Sequence, residues 1–249
     1  MTALQIVAAV IGVAATIVGW TMFLMRIGKF VQFFKLGAPT RAGERTNDAG
    51  ARTGTLVKEF LGHTRMARLP VVAIAHWFTM ISFGVLTLTL AQATMQLFNP
   101  AATLPLIGHF VPYEWITELF AMAGLIGIIV LIAIRQAKKP KGETLDTQRK
   151  SRFYGSNFWQ AYYVEFTILG VCLCIALLRG LEYVLQGHEG QANLILHFPL
   201  TFWIGEILSG LSIPVVSGLI VAIALAKILI SYAWMVTVAL TPTMGVAWH

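Results

Sequence analysis

An all-α integral membrane protein, a bundle of five spanning helices, is what this sequence predicts, and three observations carry that expectation. The chain of 249 residues is 57% hydrophobic and only 12% charged, about half the roughly 25% charged fraction of a soluble domain. Its apolar residues fall in five runs, each long enough for the ~20-residue helix that crosses a ~30 Å hydrocarbon core. Its basic residues are segregated: 16 of the 18 Lys and Arg lie in two of the four connections, nine in 26–69 and seven in 135–158, with none in 98–114 or 186–212. That asymmetry predicts an N-terminus outside, both basic loops in the cytoplasm and a cytoplasmic C-terminus. The net charge of +7 thus reads as membrane topology, not as a nucleic-acid surface.

The expected spans are 4–25, 70–97, 115–134, 159–185 and 213–240, forming one transmembrane domain over 1–249. The first has no basic residue before it, exceeds a signal-peptide core in length and is followed by Arg26 and Lys29. It is therefore read as a retained helix. In the first basic loop, GAPT at 37–40 and NDAG at 47–50 are turn chemistry. The stretch 53–68 then places Leu56, Val57, Phe60 and Leu61 on one face, which predicts an amphipathic helix lying on the cytoplasmic surface. The two connections without Lys or Arg are mostly uncharged and tipped with Phe110, Tyr113, Trp115, Phe198, Phe202 and Trp203, which suit an interfacial aromatic belt.

The second span holds no charge but one histidine, His76, about 9 Å below the cytoplasmic face at 1.5 Å per residue. A ligand-capable group at membrane depth is a functional candidate by default. In the fourth span, Cys172 and Cys174 have a spacing that suits neither a disulfide framework nor a zinc or iron–sulfur site. Glu165 lies about 10 Å in from the cytoplasmic face, and Arg179 and Glu182, three apart, are expected to pair on one helix face. Lys227 lies about two-thirds of the way along the fifth span and is expected to approach Glu165, because an unpaired charge there costs several kcal/mol. Thr241 and Pro242 should kink or end that helix, which returns His249 to the side of the membrane that carries His76. Two imidazoles so placed can address one planar cofactor from opposite faces; the plainer readings are a packed His76 and an exposed tail. His63, thirteen residues before His76 and across Pro70, is either solvated or a ligand to a second cofactor. Met66, Met80 and Met244 lie near the same depth, as packing or as ligands. His109, His188 and His197 are read as polar loop residues.

Several stretches resemble a known family: TGTLVKEFLGHTRM at 53–66, AHWF around His76, RKSRFYGSNFWQ at 149–160, LRGLE at 178–182 and the closing MGVAWH. They resemble the membrane domain of actinobacterial heterodisulfide-reductase-related iron–sulfur oxidoreductases, the group that includes the electron-transfer-flavoprotein:menaquinone oxidoreductases. That domain is similar to the gamma subunit of respiratory nitrate reductase, a five-helix cytochrome b with an outside N-terminus. The resemblance implies a heme b held between histidines of the second and fifth helices, with electrons passing between a cytoplasmic iron–sulfur module and the menaquinone pool of the plasma membrane. By position His76 matches the second-helix ligand and His249 the fifth-helix one. Two departures stand out. The nitrate reductase pattern has a second histidine in each of these helices, for a second heme, whereas this chain has Met66 and Leu86 ten residues either side of His76 and Ser231 eighteen before His249. The family's longer members continue into a domain with cysteine-rich cluster motifs, which this sequence lacks, so any iron–sulfur cluster is expected on a missing domain or a partner subunit.

The expectation that follows is a membrane subunit or fragment of a quinone-linked oxidoreductase, with His76 and His249 as iron ligands and His63, Glu165 and Lys227 as further cofactor contacts, to a propionate or a quinone. Its partners would be the bilayer, menaquinone, an iron–sulfur domain or subunit and an electron-transfer flavoprotein, with no nucleic acid. Two other classes fit the residues. One is a heme-free anchor or assembly subunit whose basic loops dock a soluble complex; the other is a small transporter using Glu165 and Lys227 as an intramembrane pair.

Overall fold

Helix-forming runs bounded by capping residues produce helices throughout, and no strand forms among the described residues. The computed structural model describes residues 1–37 and 47–244, except the side chains of Arg65 and Met244. Helix α1 (Ala3–Lys35) starts at a capping box in which Thr2 and Gln5 satisfy each other's backbone N–H. It runs ten residues past the expected end at 25, because Arg26 and Lys29 mark a membrane boundary without breaking a helix. Helix α2 (Ala49–Gly62) is the surface helix, followed by a tight turn at Thr64–Met66. Its Leu56, Val57, Phe60 and Leu61 are all exposed from the protein, as an apolar face laid on lipid requires.

The second span divides into α3 (Pro70–Val85) and α4 (Leu88–Gln96), bent by 52°. The sequence reading expects one unbroken helix there. Around the break, the Thr87 hydroxyl donates to the Phe83 carbonyl at 2.8 Å and the Thr89 hydroxyl to that of Leu86 at 2.5 Å. Such local hydroxyl bonds compete with the helical ladder and bend it. Then come α5 (Val111–Lys138), the short α6 (Leu145–Arg149), α7 (Phe158–His188), two short helices α8 (Leu194–His197) and α9 (Phe202–Leu208), and α10 (Ile213–Leu240). Proline stands in the first turn of α3, α5 and α10, where its missing N–H leaves no helical bond unmade. Thr241 and Pro242 end α10 as expected.

Helices α1, α5, α7 and α10 are each long and apolar enough to cross a bilayer, and α3 with α4 qualifies as a bent fifth crossing. The chain is thus a multi-pass membrane protein. Close approach is bought by small residues, as lipid offers helices no hydrophobic drive to associate. A Cβ on Gly127 of α5 would lie 2.7 Å from the Ala75 carbonyl oxygen of α3, and one on Gly12 of α1 would lie 2.5 Å from Leu97. The Ser82 hydroxyl fastens α3 to α5 by donating to the Phe120 carbonyl at 2.6 Å. The main core joins Ala8, Leu97, Leu181, Ile220, Ala224 and Ile228, from α1, the end of α4, α7 and α10.

Two contacts fix the order of ends. The Gln5 amide donates to the Phe98 carbonyl at 3.1 Å, while Arg26 donates to the last carbonyls of α10, those of Ala239 and, at 3.0 Å, Leu240. Helices α1 and α10 therefore run parallel, as the first and fifth strokes of a serpentine must. One end of the bundle carries both basic loops; the other carries the connections near 98–110 and 189–212.

Candidate functional site

At the basic end, α2 is turned back onto α3. Its last turn is stopped by His63, whose φ of +48° lies in the left-handed region that ends helices. The Trp77 indole of α3 donates to the Leu61 carbonyl at 2.7 Å and holds the turn down. The result brings His63 Nε2 to 2.8 Å from His76 Nδ1, with ring centroids 5.0 Å apart and planes inclined by 41°. Residues that Pro70 separates in sequence thus meet without sharing a helix.

The hydrogen bonds order the protons. His63 Nδ1 lies 3.0 Å from the Phe60 carbonyl oxygen, which only accepts, so that nitrogen carries a proton. With both rings neutral, His63 Nε2 is the acceptor and His76 Nδ1 the donor. The lone pair of His76 is then on Nε2. A hydrogen bond to one ring nitrogen that fixes the tautomer and leaves the other Lewis-basic is what a metal-binding histidine needs, although the partner here is an imidazole in place of the commoner carboxylate, carbonyl or water.

This arrangement accommodates the heme expectation in one respect and constrains it in another. Bonds of about 2.0–2.1 Å from a metal to imidazole nitrogen would set two opposed axial nitrogens about 4 Å apart. At 2.8 Å, His63 stands behind His76 as its hydrogen-bond partner, not across an iron from it. His76 is the described residue that would hold such a group, through one ring nitrogen. No group of three or more His, Cys, Asp or Glu converges as a metal site among the described residues. His249, the expected opposite ligand, lies outside the described residues.

Glu165 and Lys227 take separate partners, which corrects the expectation that they pair. Glu165 accepts from Arg135 Nε at 2.7 Å, and that guanidinium lies 5.0 Å from the Phe153 ring centroid. Lys227, 2% exposed, donates to the Thr89 carbonyl at 2.7 Å and the Thr89 hydroxyl at 2.6 Å. Thr89 stands in the first turn of α4, just past the bend, so Lys227 of α10 is tied to the second half of the broken span.

At the opposite end lies a buried polar cluster that the sequence reading assembled only in part. Arg179 and Glu182 pair at 2.9 Å, as their spacing predicts. Arg179 also donates through Nε to Glu118 at 3.1 Å and through Nη2 to the His197 carbonyl, and its guanidinium lies 4.1 Å from the centroid of the Phe198 ring. Glu118, 0% exposed, accepts further bonds from the backbone N–H groups of Leu200 and Thr201 and from the Thr201 hydroxyl, so it staples that connection to α5. Glu182 accepts from the amides of Gln92 at 2.8 Å and Gln96 at 2.6 Å. Glu114 Oε2 faces His197 Nδ1 at 2.6 Å, so His197, read from sequence as a loop residue, belongs to the cluster. The spacing held a signal for these members: Glu114 and Glu118, and Gln92 and Gln96, are polar pairs four residues apart on otherwise apolar helices.

Comparison with family models, with curated proteins and with solved structures finds no match to this chain.

Proposed function

We propose that this protein is the membrane electron-transfer module of a quinone-linked oxidoreductase, a b-type cytochrome of the kind its sequence resembles. The observation that supports this reading best is the Phe60–His63–His76 relay, which orients the one histidine of the second span. His76 would hold the iron, with His249 as the expected second ligand. Heme, when bound, supplies one-electron transfer between partners. The protein's share is done by its own residues. His63 keeps the His76 ring in one tautomer and orientation and raises its basicity as a ligand.

On this reading the basic end faces the cytoplasm of a plasma membrane, with the N-terminus outside. Its two Lys- and Arg-rich loops attract an acidic surface on an iron–sulfur domain or subunit, and an electron-transfer flavoprotein is the upstream donor. Menaquinone reaches the bundle from the bilayer. A reduced-minus-oxidised visible spectrum of protein purified from heme-replete cells tests the proposal. A b-type α-band supports it; a spectrum without heme bands overturns it and leaves the anchor reading in its place.

A further inference from the structure

The charges around Arg179 do not balance until one more proton is counted. Glu118 accepts four hydrogen bonds and Glu182 three, all from donors, so both are carboxylates. Arg179 and Lys227 match those two charges. Glu114 is the third carboxyl and has no cation of its own: Arg179 Nη2 is 3.9 Å away, and Glu114 Oε1 has no hydrogen-bond partner although the residue is 1% exposed.

That oxygen borders a cavity of about 20 Å³ between α4, α5, α7 and α10, lined also by Gln96, Tyr113, Thr117 and Lys227. The Gln96 amide nitrogen is committed to Glu182, which leaves Oε1 of this 1% exposed residue as a second acceptor without a partner. The space suits one water. A water in that space would meet acceptors in Glu114 Oε1 and Gln96 Oε1 and donors in the hydroxyls of Tyr113 and Thr117, four buried groups of its lining that have no hydrogen-bond partner.

We propose that this cluster is a proton-holding site, in which one exchangeable proton is shared between Glu114 and His197, with the cavity water as its inner carrier. His197, its side chain 16% exposed, connects the site to the aqueous face. In the outward direction the proton passes from Glu114 Oε2 to His197 Nδ1, and His197 releases the proton on Nε2 to water. One proton leaves, Glu114 becomes a carboxylate and no electron moves. The charged or titratable groups facing Glu114 are Tyr113 and Glu118 from α5, Arg179 and Glu182 from α7, His197 from α8, Lys227 from α10 and His109 from the preceding connection; α4 contributes only the neutral Gln92 and Gln96. The inference does not depend on the heme reading.

The test is pH-difference infrared spectroscopy of the purified full chain in lipid nanodiscs, in H2O and D2O. A protonated-carboxyl band that titrates, shifts in D2O, disappears in Glu114→Gln and survives in the exposed control Glu189→Gln supports the site. His197→Gln should move the midpoint of that band. A wild-type spectrum without such a band overturns the proposal whatever the variants do, and so does a midpoint unchanged in His197→Gln.

Discussion

The two ends of the bundle handle polar groups in opposite ways. At the basic end the two candidate imidazoles lie near the surface: His76 is exposed from the protein, His63 is half-buried, and His63 links His76 to a backbone carbonyl, while the Glu165–Arg135 pair lies apart from them. At the other end Arg179, Glu114, Glu118, Glu182 and Lys227 are all buried; Arg179 pairs with Glu118 and Glu182, and the remaining hydrogen bonds go to amides, hydroxyls, an imidazole and backbone groups around them. Burying charge is tolerable only with partners in place, so the second group holds the fold and exchanges at most a proton.

Substitutions should separate the two ends. Arg179→Ala removes the one guanidinium among three carboxyls, and breaking a buried pair typically costs about 3–5 kcal/mol. Loss of monodisperse protein in detergent, or a large drop in thermal midpoint, is the expected result; a variant as stable as the parent would show that the cluster is not structural. Lys227→Met leaves the Thr89 carbonyl without its donor and Glu182 short of a countercharge. A loss of about 1–3 kcal/mol is expected, smaller than for Arg179 and measurable by the same unfolding experiment. Gly127→Val acts on packing alone. Its Cβ would meet the Ala75 carbonyl oxygen at 2.7 Å, and overpacking of this kind costs about 1–3 kcal/mol. Ala at 127 should fall between Gly and Val. His63→Ala should leave stability nearly unchanged, since the ring is only half-buried, and should lower heme retention by roughly 10–100-fold, the usual effect of losing a hydrogen-bond partner behind a metal ligand. Heme dissociation kinetics measure it.

Much of this fold was legible in the chain. Apolar length and the placement of Lys and Arg locate the crossings and the two chemically distinct ends, because a bilayer imposes both rules without reference to tertiary detail. The Arg179–Glu182 pair was also legible, as three-residue spacing fixes a helix face by itself. The bend after Val85 was not: hydroxyl bonds from Thr87 and Thr89 accompany it, but the same kind of bond forms at Thr79, Thr167 and Thr237 inside unbroken helices, so threonine alone does not mark a break. The partner of Lys227 was hidden too, since it is the carbonyl and hydroxyl of one uncharged residue, Thr89, on another helix. Glu114, Glu118 and His197 meet only through the rotation of α5 against α7 and the path of the connection around 197–201. His63 meets His76 only because α2 ends in a left-handed turn, a residue-level choice that periodicity does not encode.

The central claim is that His76 is an iron ligand at the basic end. Heme stoichiometry of His76→Ala, measured by pyridine hemochrome beside the parent and beside His109→Ala, addresses it most directly. Heme in the parent and in His109→Ala, and its loss from a His76→Ala protein that stays monodisperse, is the expected result. A His76→Ala protein with its full heme complement would contradict the claim.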